Sequence, residues 1–211
     1  MKLLFEGLDL AGKSTVTTMM HQRLGSGWEL RKNSMVPVGT NTIYDLALRL
    51  RLARAIDNVN LGFLYLAALR HDIELFEKEP VGQQADIVQD STIMLRSLAY
   101  HKASGNHELV GLFESLLDRM PRYDILFLCT ITHEERLRRL QLRRKENIGE
   151  EDLLVVKDPE LFYQTESYLF EYARRHFHTV EIDTGGNIKF DQARKQALIA
   201  EIMSHIPANG N

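Results

Sequence analysis

The run Gly7-Leu8-Asp9-Leu10-Ala11-Gly12-Lys13-Ser14 constrains this chain more than any other stretch. It matches the spacing G-x-x-x-x-G-K-[ST] in full, a pattern that belongs between a strand and a helix. Both flanks comply. Residues 2 to 6, KLLFE, are short, apolar and followed at once by glycine, which predicts a buried strand ending in a turn. After Ser14-Thr15, the residues Met19, Met20 and Leu24 recur at helical spacing, and Gly25 offers a C-cap. Glycine lets the backbone curl until successive N–H groups point at an anion, and the helix adds its positive dipole end. The stretch therefore predicts a cradle for the phosphates of ATP, formed by Gly7, Leu10, Ala11, Gly12, Lys13, Ser14 and Thr15. In such a cradle Lys13 reaches the β and γ phosphates and the Ser14 hydroxyl serves Mg²⁺.

The rest of the chain supplies the partners such a loop needs. Residues 28 to 32, 86 to 90, 124 to 129 and 179 to 183 read as further strands. The run DILFLC is apolar without alternation, as in a strand buried on both faces. Between these strands, residues 42–56, 60–78, 93–118 (broken near Gly105-Asn106), 133–145 and 159–176 read as helices, the last of them the final long one. Pro80 and Gly82 interrupt the pattern, and Asn147-Ile148-Gly149 reads as a mobile connection. Alternating strands and helices predict an α/β fold: about five parallel strands in a central sheet with helices on both faces. Ligands of such sheets bind beyond the carboxyl ends of the strands, which places Gly7, Asp90 and Thr130 on one rim.

Composition narrows the setting. With 211 residues the chain suits one domain, residues 1–206, with a tail of 207–211 expected to be disordered. A net charge of −3 argues against a protein that coats nucleic acid or an anionic membrane. No stretch approaches the length of a membrane span, and the interrupted run at Met1 to Glu6 is too short for a signal peptide. The single cysteine, Cys129, allows no internal disulfide and reads as a buried strand residue, so a cytoplasmic location is expected. The histidines, among them His101, His107, His133, His176 and His178, show no metal-ligand spacing.

FEGLDLAGKST resembles the opening of the thymidylate kinase family, F-E-G-x-D-G-A-G-K-S-T. FLYLAALRHD, residues 63–72, resembles the family's L-x-F-A-A-x-R-x-x-H segment. ADIVQDSTIMLRSLAYHKA, residues 85–103, is similar to V-x-x-D-R-Y followed by S-x-x-A-Y-Q. PRYDILFLCTITHEERLRRLQLRR resembles the family's strand and lid approach, and VEIDTGGN its segment beside the adenine. The likeness spans about residues 1–190. It implies a P-loop kinase fold and transfer of the γ-phosphoryl group of ATP to a small acceptor, with a nucleoside monophosphate first in line. By resemblance Asp9, Arg31, Arg70 and Tyr100 line the acceptor pocket, and Asp90, with Glu6, organises Mg²⁺ or the acceptor group. A homodimer through residues 42–75 is a further implication.

Departures cluster on the acceptor side. The family's Asp-Arg pair is Asp90-Ser91 here, and its R-E-P-G-G-T becomes Arg31-Lys32-Asn33-Ser34, then Pro37 and Gly39-Thr40. An alternative register sets Gln89-Asp90-Ser91 and Arg96 against the E-R-S-x-x-x-x-R pattern of deoxynucleoside kinases, so that Arg96 replaces the missing arginine in space. A deoxynucleoside kinase, a kinase of a non-nucleotide metabolite, and a non-catalytic regulatory nucleotide-binding protein are the alternatives this leaves.

Arg136, Arg138, Arg139, Arg143, Arg144 and Lys145 fall within ten residues. Charge runs are often plain solvated faces, but beside a phosphate loop this one reads as a basic lid near 136–157. Arg143, Arg144 and then Arg139 are its candidates to stabilise the transferring phosphoryl group.

Overall fold

The computed structural model describes residues 1–79, 84–144, 148–188 and 190–207, the side chains at positions 150 and 151 excepted. Lys145 and Asn147, the break at Pro80 and Gly82, and the tail beyond Pro207 lie outside the described residues. The order is β1 (Lys2–Glu6), α1 (Lys13–Leu24), β2 (Trp28–Asn33), α2 (Thr42–Leu52), α3 (Asn58–Lys78), β3 (Asp86–Thr92), α4 (Ile93–Ala103), α5 (His107–Glu114), a 3-10 turn (Leu117–Arg119), β4 (Ile125–Thr130), α6 (His133–Leu142), α7 (Glu150–Lys157), α8 (Pro159–His176), β5 (Thr179–Asp183) and α9 (Gln192–His205).

Five strands form one sheet in the order β2-β3-β1-β4-β5, every pairing parallel. The central strands β1 and β4 are largely apolar because both of their faces are covered, and alternate residues divide between two cores. Leu3, Phe5, Val88, Phe127 and Ile182 face Val16 and Met20 of α1 and Leu198 and Ile202 of α9. Leu4, Ile87, Leu126 and Leu128 face α3, α4 and α8 through Leu69, Ile73, Leu98, Leu169 and Tyr172. Fully burying each such side chain is worth about 1.5–3 kcal/mol. Phe5 stacks on Phe127 with ring centres 4.9 Å apart, locking β1 to β4 below the loop. Cys129 is fully buried, as its apolar run predicts.

Two elements differ from expectation. The helix at 159–176 is followed by another, α9, opened by Asp191, whose side chain accepts from Arg194 N at 3.0 Å. Ile148 and Gly149 lead directly into α7, where Gly149 N donates to the buried Asp152 carboxylate at 2.9 Å. The break expected near Gly105-Asn106 separates α4 from α5, and the Asn106 side chain caps α5. Parallel strands put the ends of β1, β3 and β4 on one rim, where Glu6 meets Gly7 and where Thr92 and Thr130 close their strands.

Candidate active site

Glycine is required where β1 ends. Gly7 has φ +147°, and a Cβ there would lie 2.7 Å from the Cys129 carbonyl oxygen on the neighbouring strand. Gly12 (φ +85°) is the left-handed N-cap of α1, and Leu10 (φ 67°) also takes positive φ. Thr15 N and Val16 N already bond the Gly12 carbonyl, and the N–H groups ahead of them open α1 beside its positive helix end. Lys13 is buried and crosses the loop, its Nζ donating to the Leu8 carbonyl at 2.9 Å. Burial, with the Arg96 charge adding to it, holds the Lys13 ammonium below its usual pKa, against the pull of Asp9, Asp90 and Glu6.

Arginines from α6 brace the loop from behind. Arg136, buried against Phe162, donates to the Asp9 carbonyl at 2.8 Å and to Glu166 at 2.6 Å. Its Nε is buried without a hydrogen-bond partner. Arg139 donates to the carbonyls of Leu10 (3.0 Å), Thr184 and Gly186 (3.2 Å), and pairs with Glu135. Thr184 Oγ1 in turn donates to Ala11 O at 2.5 Å, tying the loop after β5 to the cradle.

In front of the loop, Ser14 Oγ donates to Asp90 Oδ2 at 2.6 Å. The turn after Asp90 is strained: Ser91 has φ 64°, unusual for a residue with a side chain. Glu6 holds it, accepting from Ser91 Oγ (2.6 Å), Thr92 N (2.7 Å) and Thr92 Oγ1 (3.0 Å). Burial raises the Glu6 pKa despite those bonds. Lys32 reaches the same place from β2, with Nζ 3.4 Å from Ser14 Oγ and 3.7 Å from Asp90 Oδ2. A hydroxyl and a carboxylate already next to a side-chain cation are hard oxygen donors that fit Mg²⁺, which is commonly held by one or two protein groups plus phosphates. Among the described residues no cluster of three His, Cys, Asp or Glu side chains could hold a metal alone. Asp9 and Arg96 pair across the mouth at 2.7 Å. Burial works to raise the Asp9 pKa, but Arg96, Lys13, Arg143 and Arg51 outweigh it and the carboxyl is held below its usual value.

The family model described as Thymidylate kinase matches residues 5–192. The chain belongs to the thymidylate kinase family. It is a P-loop phosphotransferase of the nucleotide and nucleoside kinase kind. Solved structures agree on the fold. Thymidylate kinase from Ehrlichia chaffeensis superposes with a TM-score of 0.64 at 18% identity, covering 97% of each chain. Thymidylate kinase from Candida albicans gives 0.64 at 16% identity, covering 99% of this chain and 95% of that one. Deoxyadenosine kinase from M. mycoides with bound dATP gives 0.60 at 18% identity, covering 99% of this chain and 100% of that one. No curated protein sequence matches the chain significantly.

Among the residues suggested by the family segments, the structure brings some together and sends others away. Lys13, Ser14, Asp90, Asp9 and Arg96 converge. Arg70 does not: its side chain is 69% exposed and pairs with Glu74 one turn on. Arg31 is turned inward, with Glu29, Glu79 and the Met35 carbonyl on its guanidinium and Phe76 beneath it. It braces the chain leaving β2 rather than the mouth. Glu6 spends its oxygens on Ser91 and Thr92 rather than on the Ser14–Asp90 pair. The Tyr100 hydroxyl accepts from Asn58 at the start of α3 at 2.9 Å. Arg143 pairs with Asp152, and Arg144 is exposed.

Lys32, Tyr44 and Arg51 were not singled out by sequence. Tyr44 lies near Asn33, its hydroxyl pKa raised by burial, and the Arg51 charge acts on both Tyr44 and Asp9. The signal for Lys32 was strand alternation, which turns it away from Arg31 toward Asp90, its register partner. Arg51 lies in an arginine-rich helix and carries no local mark that separates it from Arg49.

Proposed function

We propose that the protein transfers the γ-phosphoryl group of ATP to a nucleoside monophosphate. The observation carrying this reading is the company each mouth carboxylate keeps. Glu6 is bound by Ser91 and Thr92, Asp9 by Arg96, and Asp90 by Ser14. A hydroxyl acceptor wants a carboxylate to take its proton, whereas a phosphate oxygen is already ionised and wants cations. Arg96 and Arg51 supply cations in front of the loop.

In this mechanism the loop backbone and Lys13 hold the donor phosphates, and Arg136 and Arg139 keep the loop from moving as charge shifts. Ser14 and Asp90 would hold Mg²⁺, which draws charge from the phosphate oxygens when bound. Arg96 would swing between Asp9 and the acceptor phosphate, its planar fork suited to both. Arg143 and Arg144 would come from the lid to the transferring group. A supplied arginine is worth about 10³ to 10⁵ in rate in related chemistry. The adenine would lie beside Thr184 to Gly186, whose carbonyls Arg139 gathers.

Exposed Leu46, Leu52, Val59 and Phe63 on α2 and α3 support a homodimer through that face. No described helix is long and apolar enough to cross a membrane. A cytoplasmic setting remains our reading, on the single buried thiol.

A nucleoside acceptor is the second reading. Arg96 at the mouth fits the register in which it serves a deoxynucleoside kinase. ADP release from Mg-ATP across a panel of nucleosides and nucleoside monophosphates, with Lys13→Ala as control, separates the two. Stimulation by a monophosphate, lost in the control, is expected. Stimulation by nucleosides alone supports the second reading. Stimulation by neither, with ATP binding retained, overturns both and points to a non-nucleotide acceptor or a regulatory role.

A further inference from the structure

We propose that Lys32 is a tethered counter-ion of the donor phosphates, sharing the charge load at the Ser14–Asp90 pair so that ATP binds with only modest dependence on a divalent cation. The inference rests on the phosphate-loop reading and adds a residue to it. Lys32 stands opposite Asp90 in the β2–β3 register, and the register shifts between Lys32 and Asn33. Such bulges re-aim the neighbouring side chain. Asn33 takes φ 59°, a left-handed conformation that asparagine tolerates better than most residues. The result directs the ammonium to within 3.4 Å of Ser14 Oγ and 3.7 Å of Asp90 Oδ2, which are themselves 2.6 Å apart.

The neighbouring cations are differently occupied. Arg136 and Arg139 are spent on backbone carbonyls and on Glu166 and Glu135, and Arg96 on Asp9. Lys13 serves the phosphates from within the loop, leaving the Ser14–Asp90 pair to a second cation. The Lys32 side chain is 59% exposed, so its four-carbon stem is free to follow a phosphate that enters. A divalent cation binding Ser14 and Asp90 would displace the ammonium onto the phosphates. Without such a cation, the ammonium stays and carries the charge itself. Lysine also stands in the segment where the family pattern has an acid, so the local charge is inverted at this one corner.

Isothermal titration of ATP into wild type, Lys32→Met and Lys32→Arg, each in magnesium and in EDTA, tests this directly. Wild type is expected to lose about tenfold in affinity or less on removal of the metal. Lys32→Met is expected to lose about a further thirtyfold in EDTA but about threefold or less in magnesium, as a charge-assisted phosphate contact would. Lys32→Arg is expected to follow wild type. The side chain is exposed, so all three are expected to melt alike. An unchanged Lys32→Met in EDTA, or an equal loss in both media, overturns the inference. Wild type binding ATP only with magnesium overturns it and leaves the phosphate-loop reading standing. Wild type binding ATP in neither medium overturns both.

Discussion

On the donor side, the loop from Gly7 to Ser14 is fixed by backbone. Positive φ at Gly7, Leu10 and Gly12 shapes it, and Arg136, Arg139 and Thr184 grip its carbonyls. On the proposed acceptor side, Asp9, Tyr44, Arg51 and Arg96 come together from the loop, α2 and α4. The first site is made of one contiguous segment and leaves little freedom to vary. The second is assembled from elements far apart in sequence, any of which can change charge without disturbing the sheet. On the proposed reading a chain can keep its phosphate cradle intact while its acceptor side changes, Asp90-Ser91 standing here for the family's Asp-Arg pair and Arg96 pairing with Asp9.

The largest effect is expected at Gly7. Gly7→Ala puts a Cβ 2.7 Å from the Cys129 carbonyl at φ +147°. A loss of about 4 kcal/mol in unfolding free energy, with loss of ATP binding, is expected from denaturant titration. Arg136→Met comes next. It leaves Glu166 and the Asp9 carbonyl without their donor, and a loss of about 3 kcal/mol is expected, with a lower kcat as the loop loosens. Survival of full ATP affinity and kcat in either variant would show that the cradle is not held as described.

A smaller effect sharpens the contrast from the other face. His101 on α4 is buried against Phe113 and beside Gly62, and burial lowers its pKa from 6.5 to about 4. The unfolded chain therefore takes up a proton before the folded one does. Stability is full above about pH 6.5 and falls as pH drops toward 4. The expected loss is roughly 2 kcal/mol, less than the whole shift implies because the ring borders the cleft between α3 and α5. His101→Gln should flatten the acid limb of a melting-temperature profile. An unchanged slope would place the acid sensitivity elsewhere.

Strands, most helices and the cradle were legible in the sequence because their signals are local: apolar runs, turn residues and a fixed glycine spacing. The helix α9 was passed over because QARKQ opens it with polar residues, although Asp191 marks its start. Likeness to family segments pointed to the regions around the loop, but two of the side chains it suggested turn elsewhere. Along α3, Ala68, Leu69, Asp72 and Ile73 face inward, so helical period turns Arg70 to solvent. Along β2, period two sends Arg31 into the core and Lys32 to the rim. Both outcomes follow from periodicity, which the family likeness alone does not weigh. Arg51 and Tyr44 had no such signal, since their place near Asp9 and Asn33 depends on how α2 packs against α3.

On the proposed reading, donor cradle and acceptor mouth are separable, and Arg96 belongs to the mouth. The most direct measurement is the Mg-ATP dissociation constant beside the acceptor KM in Arg96→Ala. An acceptor KM raised about tenfold or more is expected, with ATP affinity within about twofold of wild type. Equal weakening of ATP and acceptor, or an unchanged acceptor KM, would contradict it.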